Sequence, residues 1–219
     1  LPSAELATAL ENLSENEVLV KGDMTLGCPC SKAVRLDELD DIFHSKTKVE
    51  YEGKINGIFN TWDIFKNNGK AIEADFELLT EGKTSRPLNN TNQVIGEGKV
   101  FLEEGAQVEC AVLNTQNGPI YIGKNAAVME GSLIRGPFAL CESSTVKMGA
   151  KIYGPTTIGP HSKVGGEINN CVIFGYSNKG HDGFLGNSVL GEWCNIGADS
   201  NNSNLKNNYA DVRLWDYDS

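Results

Sequence analysis

The stretch IGKNAAVMEGSLIRGPFALCESSTVKMGAKIYGPTTIGPHSKV, residues 122–164, contains a six-residue repeat that decides the fold. Every sixth residue, counted from the first, is aliphatic: Ile122, Val128, Ile134, Leu140, Val146, Ile152, Ile158 and Val164. Four positions after each of the first seven, six residues are small and one is Phe138. A helix would scatter such positions around its surface, and a single strand of this length would far exceed the usual ~3–10 residues.

A coil with three flat sides accounts for this period. Each side takes about six residues, its aliphatic side chain points inward, and the small residue fits the corner. Hexapeptide spacing is typical of the left-handed form, an exception to the right-handed rule for parallel crossovers. We therefore predict a mainly β fold, with a left-handed parallel β-helix over residues 93–219. The register should extend to Leu102 and Val108 before the stretch and to Phe184, Leu190 and Ile196 after it.

The first part of the chain has a different texture and predicts a small α/β region with a linker over residues 1–92. Ser3 is a candidate N-cap, and the apolar spacing predicts helices over residues 4–13 and 37–43 and strands over 18–20 and 24–26. We expect a turn at Asn67-Asn-Gly69, then a helix over residues 70–79 that ends at Gly82. Residues 84–93 are polar and indicate a linker.

Composition excludes several classes of partner. The net charge of −10, from 19 basic and 29 acidic residues, argues against nucleic acid and against an anionic membrane surface. No apolar run approaches the ~20 residues of a membrane span, so we expect a cytoplasmic protein with reduced thiols. Cys28-Pro-Cys30 has no second pair to complete a zinc site, and we predict no metal. Both ends look like cut points in a longer polypeptide.

A second segment carries the functional prediction: HDGFLGNSVLGEWCNIGADSNNSN, residues 181–204. It resembles the pattern H-x-x-Y-x-G-D-x-x-I-G-x-x-x-N-I-G-A-G-T-x-x-x-N of the hexapeptide-repeat acyltransferases, without gaps. The likeness covers residues 102–208. It is greatest to the acetyltransferase half of bifunctional UDP-N-acetylglucosamine pyrophosphorylase/glucosamine-1-phosphate acetyltransferases, and to a bacterial subgroup of glucose-1-phosphate thymidylyltransferase-like sugar nucleotidyltransferases. The segment beginning at Trp62 looks like the end of the nucleotidyltransferase domain in such two-part enzymes.

The resemblance implies a transferase of sugar-nucleotide biosynthesis. It would be a homotrimer that uses acetyl-CoA and acts on an amino-sugar phosphate; sugar phosphates or nucleotide sugars are the expected partners. His181 would be the general base, a role that suits a neutral imidazole near pH 7. Asn195 and Asn204 would lie near the sugar and acetyl group, and Ala198 would offer backbone contact to the acyl carrier. Phe184 replaces a tyrosine that touches the sugar phosphate. On chemical grounds alone, Lys179 could hold a phosphate.

Departures from the family pattern leave alternatives open. The family's G-A-G-T is Gly197-Ala-Asp-Ser here, and the G-x-G-x-R loop that binds a nucleoside triphosphate is absent. Mg²⁺ is therefore expected only if an intact nucleotidyltransferase domain exists in the full polypeptide. The β-helix could instead be a non-catalytic trimerisation or regulatory scaffold, or a sugar-phosphate binding module. Residues 201–208, rich in asparagine, could be a loop or part of a site.

Overall fold

A computed structural model describes residues 3–202 and 205–211. Its residue contacts divide the chain into two compact units, with the division between Ile58 and Phe59. No helix in the described ranges is both long and apolar enough to cross a membrane. Residues 59–92 fall in the same compact unit as the β-helix. A compact unit can contain more than one domain, so the domain boundary expected between residues 92 and 93 stays a prediction.

The first unit is a small α/β structure built around a three-stranded sheet, in which β1 (Glu17–Lys21) lies between β2 (Met24–Gly27) and β3 (Thr47–Glu50). Its central strand pairs antiparallel with β2 and parallel with β3, and Val18, Leu19 and Val20 are buried. The Ser3 hydroxyl caps α1 by accepting a hydrogen bond from the Leu6 amide, 3.2 Å away. The two helices and two strands predicted here are confirmed, whereas β3 was not predicted. The elements are α1 (Ala4–Glu11), β1 (Glu17–Lys21), β2 (Met24–Gly27), a 3-10 helix (Leu36–Glu38), α2 (Leu39–Ser45) and β3 (Thr47–Glu50).

The second unit consists of one long helix and a left-handed parallel β-helix of about five turns. The predicted fold is confirmed. The elements, in chain order, are α3 (Asp63–Thr80), β4 (Gln93–Ile95), β5 (Val100–Leu102), β6 (Gln107–Val108), β7 (Val112–Asn114), β8 (Ile120–Ile122), β9 (Ala127–Val128), β10 (Leu133–Arg135), β11 (Phe138–Leu140), β12 (Thr145–Val146), β13 (Lys151–Tyr153), β14 (Thr156–Ile158), β15 (Lys163–Val164), β16 (Glu167–Ile173), β17 (Asn178–Lys179) and β18 (Phe184–Leu190).

These strands form three faces of parallel strands. Face 1 contains β4, β7, β10 and β13, and face 2 contains β5, β8, β11 and β14. The two long strands β16 and β18 bend and contribute one half to each of these faces. Face 3 contains β6, β9, β12, β15 and β17. Each coil therefore visits the three faces in turn, as the six-residue period predicts.

The core of the β-helix is the aliphatic ladder found in the sequence. All eight ladder residues from Ile122 to Val164 are at most 2% exposed, and equivalent residues pair from coil to coil. Each such side chain contributes about 1.5–3 kcal/mol when fully buried. The small corner residues are buried too, and their hydroxyls bond to backbone: Ser144 donates to the Gly159 carbonyl at 2.7 Å and accepts from the Ser162 amide at 3.1 Å. Small polar residues at this corner thus satisfy backbone groups that the strands leave unpaired.

The register changes after Val164, where the coils become shorter. Only two residues, Gly165 and Gly166, separate β15 from β16, whereas the preceding corner has four. On the next coil Leu185 takes the inward position opposite Ile168 and Leu190 the one opposite Ile173, so that the inward residues of β18 are five apart. Phe184, six before Leu190, is only partly buried. Its predicted inward register is wrong, because the bend within β18 has one residue fewer than a period of six requires.

Helix α3 begins seven residues earlier than expected. The turn predicted at Asn67-Asn-Gly69 is wrong, since the helix runs through it from Asp63. The carboxylate of Asp63 accepts hydrogen bonds from the Phe59 and Asn60 amides, at 3.0 and 2.9 Å, and organises this start. These backbone bonds lower the pKa of Asp63. The helix ends at Thr80, and Gly82, with φ +68°, follows it as predicted.

The residues that suggested a turn instead pack α3 against the β-helix. The hydroxyl of Thr157 in β14 donates to the side-chain oxygen of Asn68 at 2.8 Å. A Cβ on Gly69 would lie only 3.1 Å from Cγ of Pro155, so glycine allows close approach. Phe76 meets the ring of Phe101 edge-on, with 6.5 Å between ring centroids.

The cysteines differ sharply in accessibility, and this gives a first test of the fold. Cys171 is buried in the core, and burial raises its pKa to about 11; Cys30 and Cys110 are exposed. Because the thiolate is the reactive form, we expect a disulfide reagent at pH 8 to label both exposed cysteines in the native protein. Cys171 should react only after denaturation. Peptide mass spectrometry of timed samples measures this, and rapid native labelling of Cys171 would contradict the described core.

Candidate functional site

The candidate base lies on a tight corner of the β-helix. Gly180-His181-Asp182-Gly183 joins β17 on face 3 to β18 on face 1, and His181 is exposed. On one side of this corner, a Cβ on Gly166 would lie 2.9 Å from the His181 carbonyl oxygen. On the other side, the Asp199 amide donates to the Asp182 carbonyl at 3.0 Å. The backbone is thus held between two coils while the imidazole stays accessible.

Lys179 lies just before this corner and is buried. It pairs in register with Val164, and so occupies an inward position of the aliphatic ladder with only 1% of its surface exposed. Its ammonium donates to the carbonyl oxygens of His181 at 2.5 Å and Gly165 at 3.2 Å. Burial lowers its pKa, and the nearby Asp182 carboxylate opposes that shift. The partners of Lys179 are backbone atoms, and a phosphate contact for this residue stays a prediction.

The other predicted site residues lie around the same coils. Phe184 follows the corner directly, and its amide donates to the side-chain oxygen of Asn201 at 2.7 Å. Asn195 is exposed beside face 3 and accepts from the Asn178 side-chain amide at 2.9 Å. Ala198 is exposed next to Asp199, whereas Asn204 lies outside the described residues. Phe184 thus lies three residues after His181 in the chain, whereas Asn195 is bonded to Asn178 on the strand before the corner. A common site for these residues stays a prediction.

Two asparagines beyond the last strand have a clear structural role. Asn202 accepts from the Gly186 amide at 2.9 Å and donates back to the Gly186 carbonyl at 3.1 Å. Asn201 accepts from Phe184 as described above. Both therefore satisfy backbone groups along β18, a strand edge that would otherwise be open. For these two residues the observed bonds favour the loop interpretation over a site.

Sequence reasoning missed an aromatic stack at another corner. His161, Tyr176 and Trp193 stack with centroid separations of 5.1 and 4.7 Å and nearly parallel planes. All three have left-handed backbones, with φ between 56° and 59°. They are 15 and 17 residues apart in sequence, so a search at a period of six does not align them. The stack accounts for His161 as a structural residue, and the ring of Trp193 at its end is 76% exposed.

Metal-binding side chains are dispersed in the described ranges. Within residues 3–202 and 205–211, no three histidine, cysteine, aspartate or glutamate residues are grouped closely enough to hold a metal ion.

Comparison with known families gives a match in the N-terminal part of the chain. Residues 1–84, which include the first unit and helix α3, match the protein family described as sugar nucleotidyl transferase. No curated protein matches the chain. The family match and the β-helix together support a transferase related to sugar nucleotides, with sugar phosphates or nucleotide sugars as its class of substrate.

The buried amine of Lys179 gives a pH prediction. Its pKa is lowered in the folded protein from the ordinary 10.5, so the unfolded chain binds more protons between the two values. The contribution of Lys179 to the free energy of unfolding therefore rises with pH between its folded and unfolded pKa values. We expect the free energy of unfolding of the parent, relative to Lys179→Met, to increase from pH 8 to pH 10. The raised pKa values of Cys141 and Cys171 make stability fall with pH. This contribution is the same in the parent and in Lys179→Met, so it cancels when the two are subtracted.

Urea titrations followed by tryptophan fluorescence at the two pH values measure the effect. A Lys163→Met variant is the matched control, because Lys163 is exposed on the paired strand β15. A parent-minus-variant difference that is flat or falls with pH would contradict the burial of the Lys179 amine.

Proposed function

We propose that the β-helix transfers the acetyl group of acetyl-CoA to the amino group of an amino-sugar phosphate, with His181 as general base. The carrying observation is the exposed imidazole on a corner whose backbone is held by the coils on both sides. The match of residues 1–84 to sugar nucleotidyl transferases supports the substrate class. A fixed base next to open space is what acyl transfer to an amine requires.

The chemistry needs one proton acceptor. Acetyl-CoA supplies a thioester carbonyl. The His181 imidazole accepts a proton from the substrate amine while the amine nitrogen forms a bond to the acetyl carbon. When the carbon–sulfur bond breaks, the imidazolium returns the proton to the departing thiolate, so that His181 ends neutral and free CoA leaves. In this proposal Asn195 and Asn204 orient the sugar and acetyl group. Phe184 packs against the sugar.

The corner beside His181 suits an extended acyl carrier. Gly165 and Gly180 follow one another on successive coils, and the Gly165 amide donates to the Lys179 carbonyl at 2.8 Å. A Cβ on Gly180 would meet Cδ of Lys147 at 3.4 Å. Both glycines are buried, and Lys147 places a cation beside them, which suits an anionic carrier. Ala198, exposed on the next coil, would extend this contact.

The remaining parts of the proposal concern the whole polypeptide. We place the protein in a bacterial cytoplasm as a homotrimer, and the division into a region over residues 1–92 and a β-helix over 93–219 belongs to the same proposal. Mg²⁺ would be needed only by an intact nucleotidyltransferase domain elsewhere in the polypeptide.

Release of free CoA tests the function. Purified protein is incubated with acetyl-CoA and a panel of amino-sugar phosphates, and CoA is measured by chromatography, which avoids interference from the six cysteines. We expect turnover with at least one acceptor, and a loss of about 10²–10⁴-fold in rate for His181→Ala. His161→Ala is the control, since His161 lies in the aromatic stack. A parent that is inert with every acceptor, or a His181→Ala variant as active as the parent, would refute the proposal.

A non-catalytic scaffold is the second candidate, and one observation favours it. Asp199 stands where the acyltransferase pattern has glycine, with a left-handed backbone (φ 57°) that glycine adopts more readily. Its carboxylate adds negative charge where an anionic acyl carrier would approach. Sedimentation that shows a trimer at micromolar concentration, combined with no CoA release from any acceptor, would support the scaffold.

A further inference from the structure

Lys179 breaks the pattern of the column that contains it. On face 3 the inward residues of successive coils are Val108, Val128, Val146 and Val164, and the next is Lys179. All the valines are buried, and Lys179 is as buried as they are. A charged amine in an aliphatic column is costly unless hydrogen bonds compensate. Its presence therefore indicates a role that valine could not perform.

The local geometry shows what the ammonium does. The corner after Val164 contains only Gly165 and Gly166, whereas the corner after Lys179 contains four residues and includes His181. A corner of two residues cannot pair residue for residue with a corner of four on the next coil. Some backbone carbonyl groups of the two corners therefore have no partner on a neighbouring strand. The Lys179 ammonium accommodates this mismatch by donating to the Gly165 carbonyl of one coil and the His181 carbonyl of the next.

We propose that Lys179 is a positioning residue that ties the His181 carbonyl to the preceding coil and so fixes the corner from which the imidazole projects. This proposal rests on the proposed function in one respect: the function makes His181 the general base. Two further contacts make the tether specific. Gly166 lies against the His181 corner without a side chain, and the Asp182 carbonyl is bonded by the Asp199 amide. With Lys179 replaced, the His181 carbonyl loses its donor.

Direct ligand binding by Lys179 fits the geometry less well. Its side chain is almost wholly buried. Two of the three ammonium hydrogens already bond to carbonyl oxygens. The nearby carboxylate, Asp182, is exposed on the corner itself. An anionic ligand would have to displace the corner to reach the amine.

Hydrogen exchange of the Lys179→Met variant tests the tether. Methionine has similar length without the donor, so the column stays filled. We expect exchange in the peptide over residues 180–184 to become about tenfold faster, which corresponds to one lost hydrogen bond. The peptide over residues 145–164 should exchange at the parent rate, and Lys163→Met should change neither. If acyl transfer is present, kcat should fall while KM for the acceptor stays near the parent value.

The outcomes separate this inference from the proposed function. Faster exchange at residues 180–184 in a protein without acyltransferase activity would support the tether and refute the function. Unchanged exchange together with CoA release that depends on His181 would do the reverse. If Lys179→Met does not fold, the parent labelled with ¹⁵N at lysine Nζ provides the test. A Lys179 ammonium signal protected from exchange with water is expected, and rapid exchange would overturn the proposal.

Discussion

Replacing Phe138 with alanine is expected to lower the free energy of unfolding of the β-helix by about 3–5 kcal/mol. Phe138 has no exposed surface and is among the largest fully buried side chains. It lies in register between Ile120 and Thr156 on face 2. Its amide also bonds to the Pro119 carbonyl at 2.9 Å. Because both adjacent coils are held by backbone bonds, they cannot collapse into the cavity.

Urea unfolding followed by tryptophan fluorescence measures this loss, since Trp62 and Trp193 belong to the second unit. Phe174→Ala is the matched control, because Phe174 is 43% exposed; it should cost less than about 1 kcal/mol. Equal losses in the two variants would mean that Phe138 does not fill the core as described.

The sequence predicted the β-helix because its signal is strictly local and periodic. Each coil that keeps six residues per face places Ile122, Leu140 and Ile158 one above another, and all are buried. Phe138 was the exception among the small corner residues, and its size could be read from the sequence. Its neighbours could not, because they come from coils that lie 18 residues away in either direction.

The errors occur where local spacing was overridden by packing. Phe184 is not inward because Leu185 and Leu190, the inward residues of β18, are five residues apart where the strand bends from face 1 to face 2. A period of six counted back from Leu190 cannot show that shortening. The helix start at Asp63 was missed because Asn68 and Gly69 have low helix propensity. Their contacts with Thr157 and Pro155 compensate in the folded protein.

The candidate site was only half predictable for a similar reason. A motif resemblance directed attention to His181, and the structure describes that residue as exposed on a corner. The contacts that hold the His181 corner could not be predicted from the sequence. Lys179 was predicted as a ligand because it lies two residues before His181 and a lysine can hold a phosphate. Its real surroundings depend on Gly165, which is distant enough in sequence that no short motif contains both.

Gly166→Ala and Gly149→Ala form a matched pair that isolates the support of the His181 corner. The two glycines occupy the same corner on successive coils, with φ values of +72° and +69°. Alanine at either position should therefore carry a similar backbone cost of about 1–2 kcal/mol. A Cβ on Gly149 meets nothing within 4 Å, but one on Gly166 would lie 2.7 Å from the Gly183 oxygen and 2.9 Å from the His181 oxygen.

We expect Gly166→Ala to lose a further ~1–3 kcal/mol in free energy of unfolding, because the clashing atoms are backbone and cannot rotate away. Exchange of the peptide over residues 180–184 should quicken, and CoA release, where present, should fall more than for Gly149→Ala. Urea titration and hydrogen exchange of both variants measure this difference. Since the backbone cost is common to the pair, equal losses would show that the His181 corner does not rest on Gly166. A larger loss for Gly166→Ala would show that the corner's position is set by the coil beneath it, which is the arrangement a fixed general base needs.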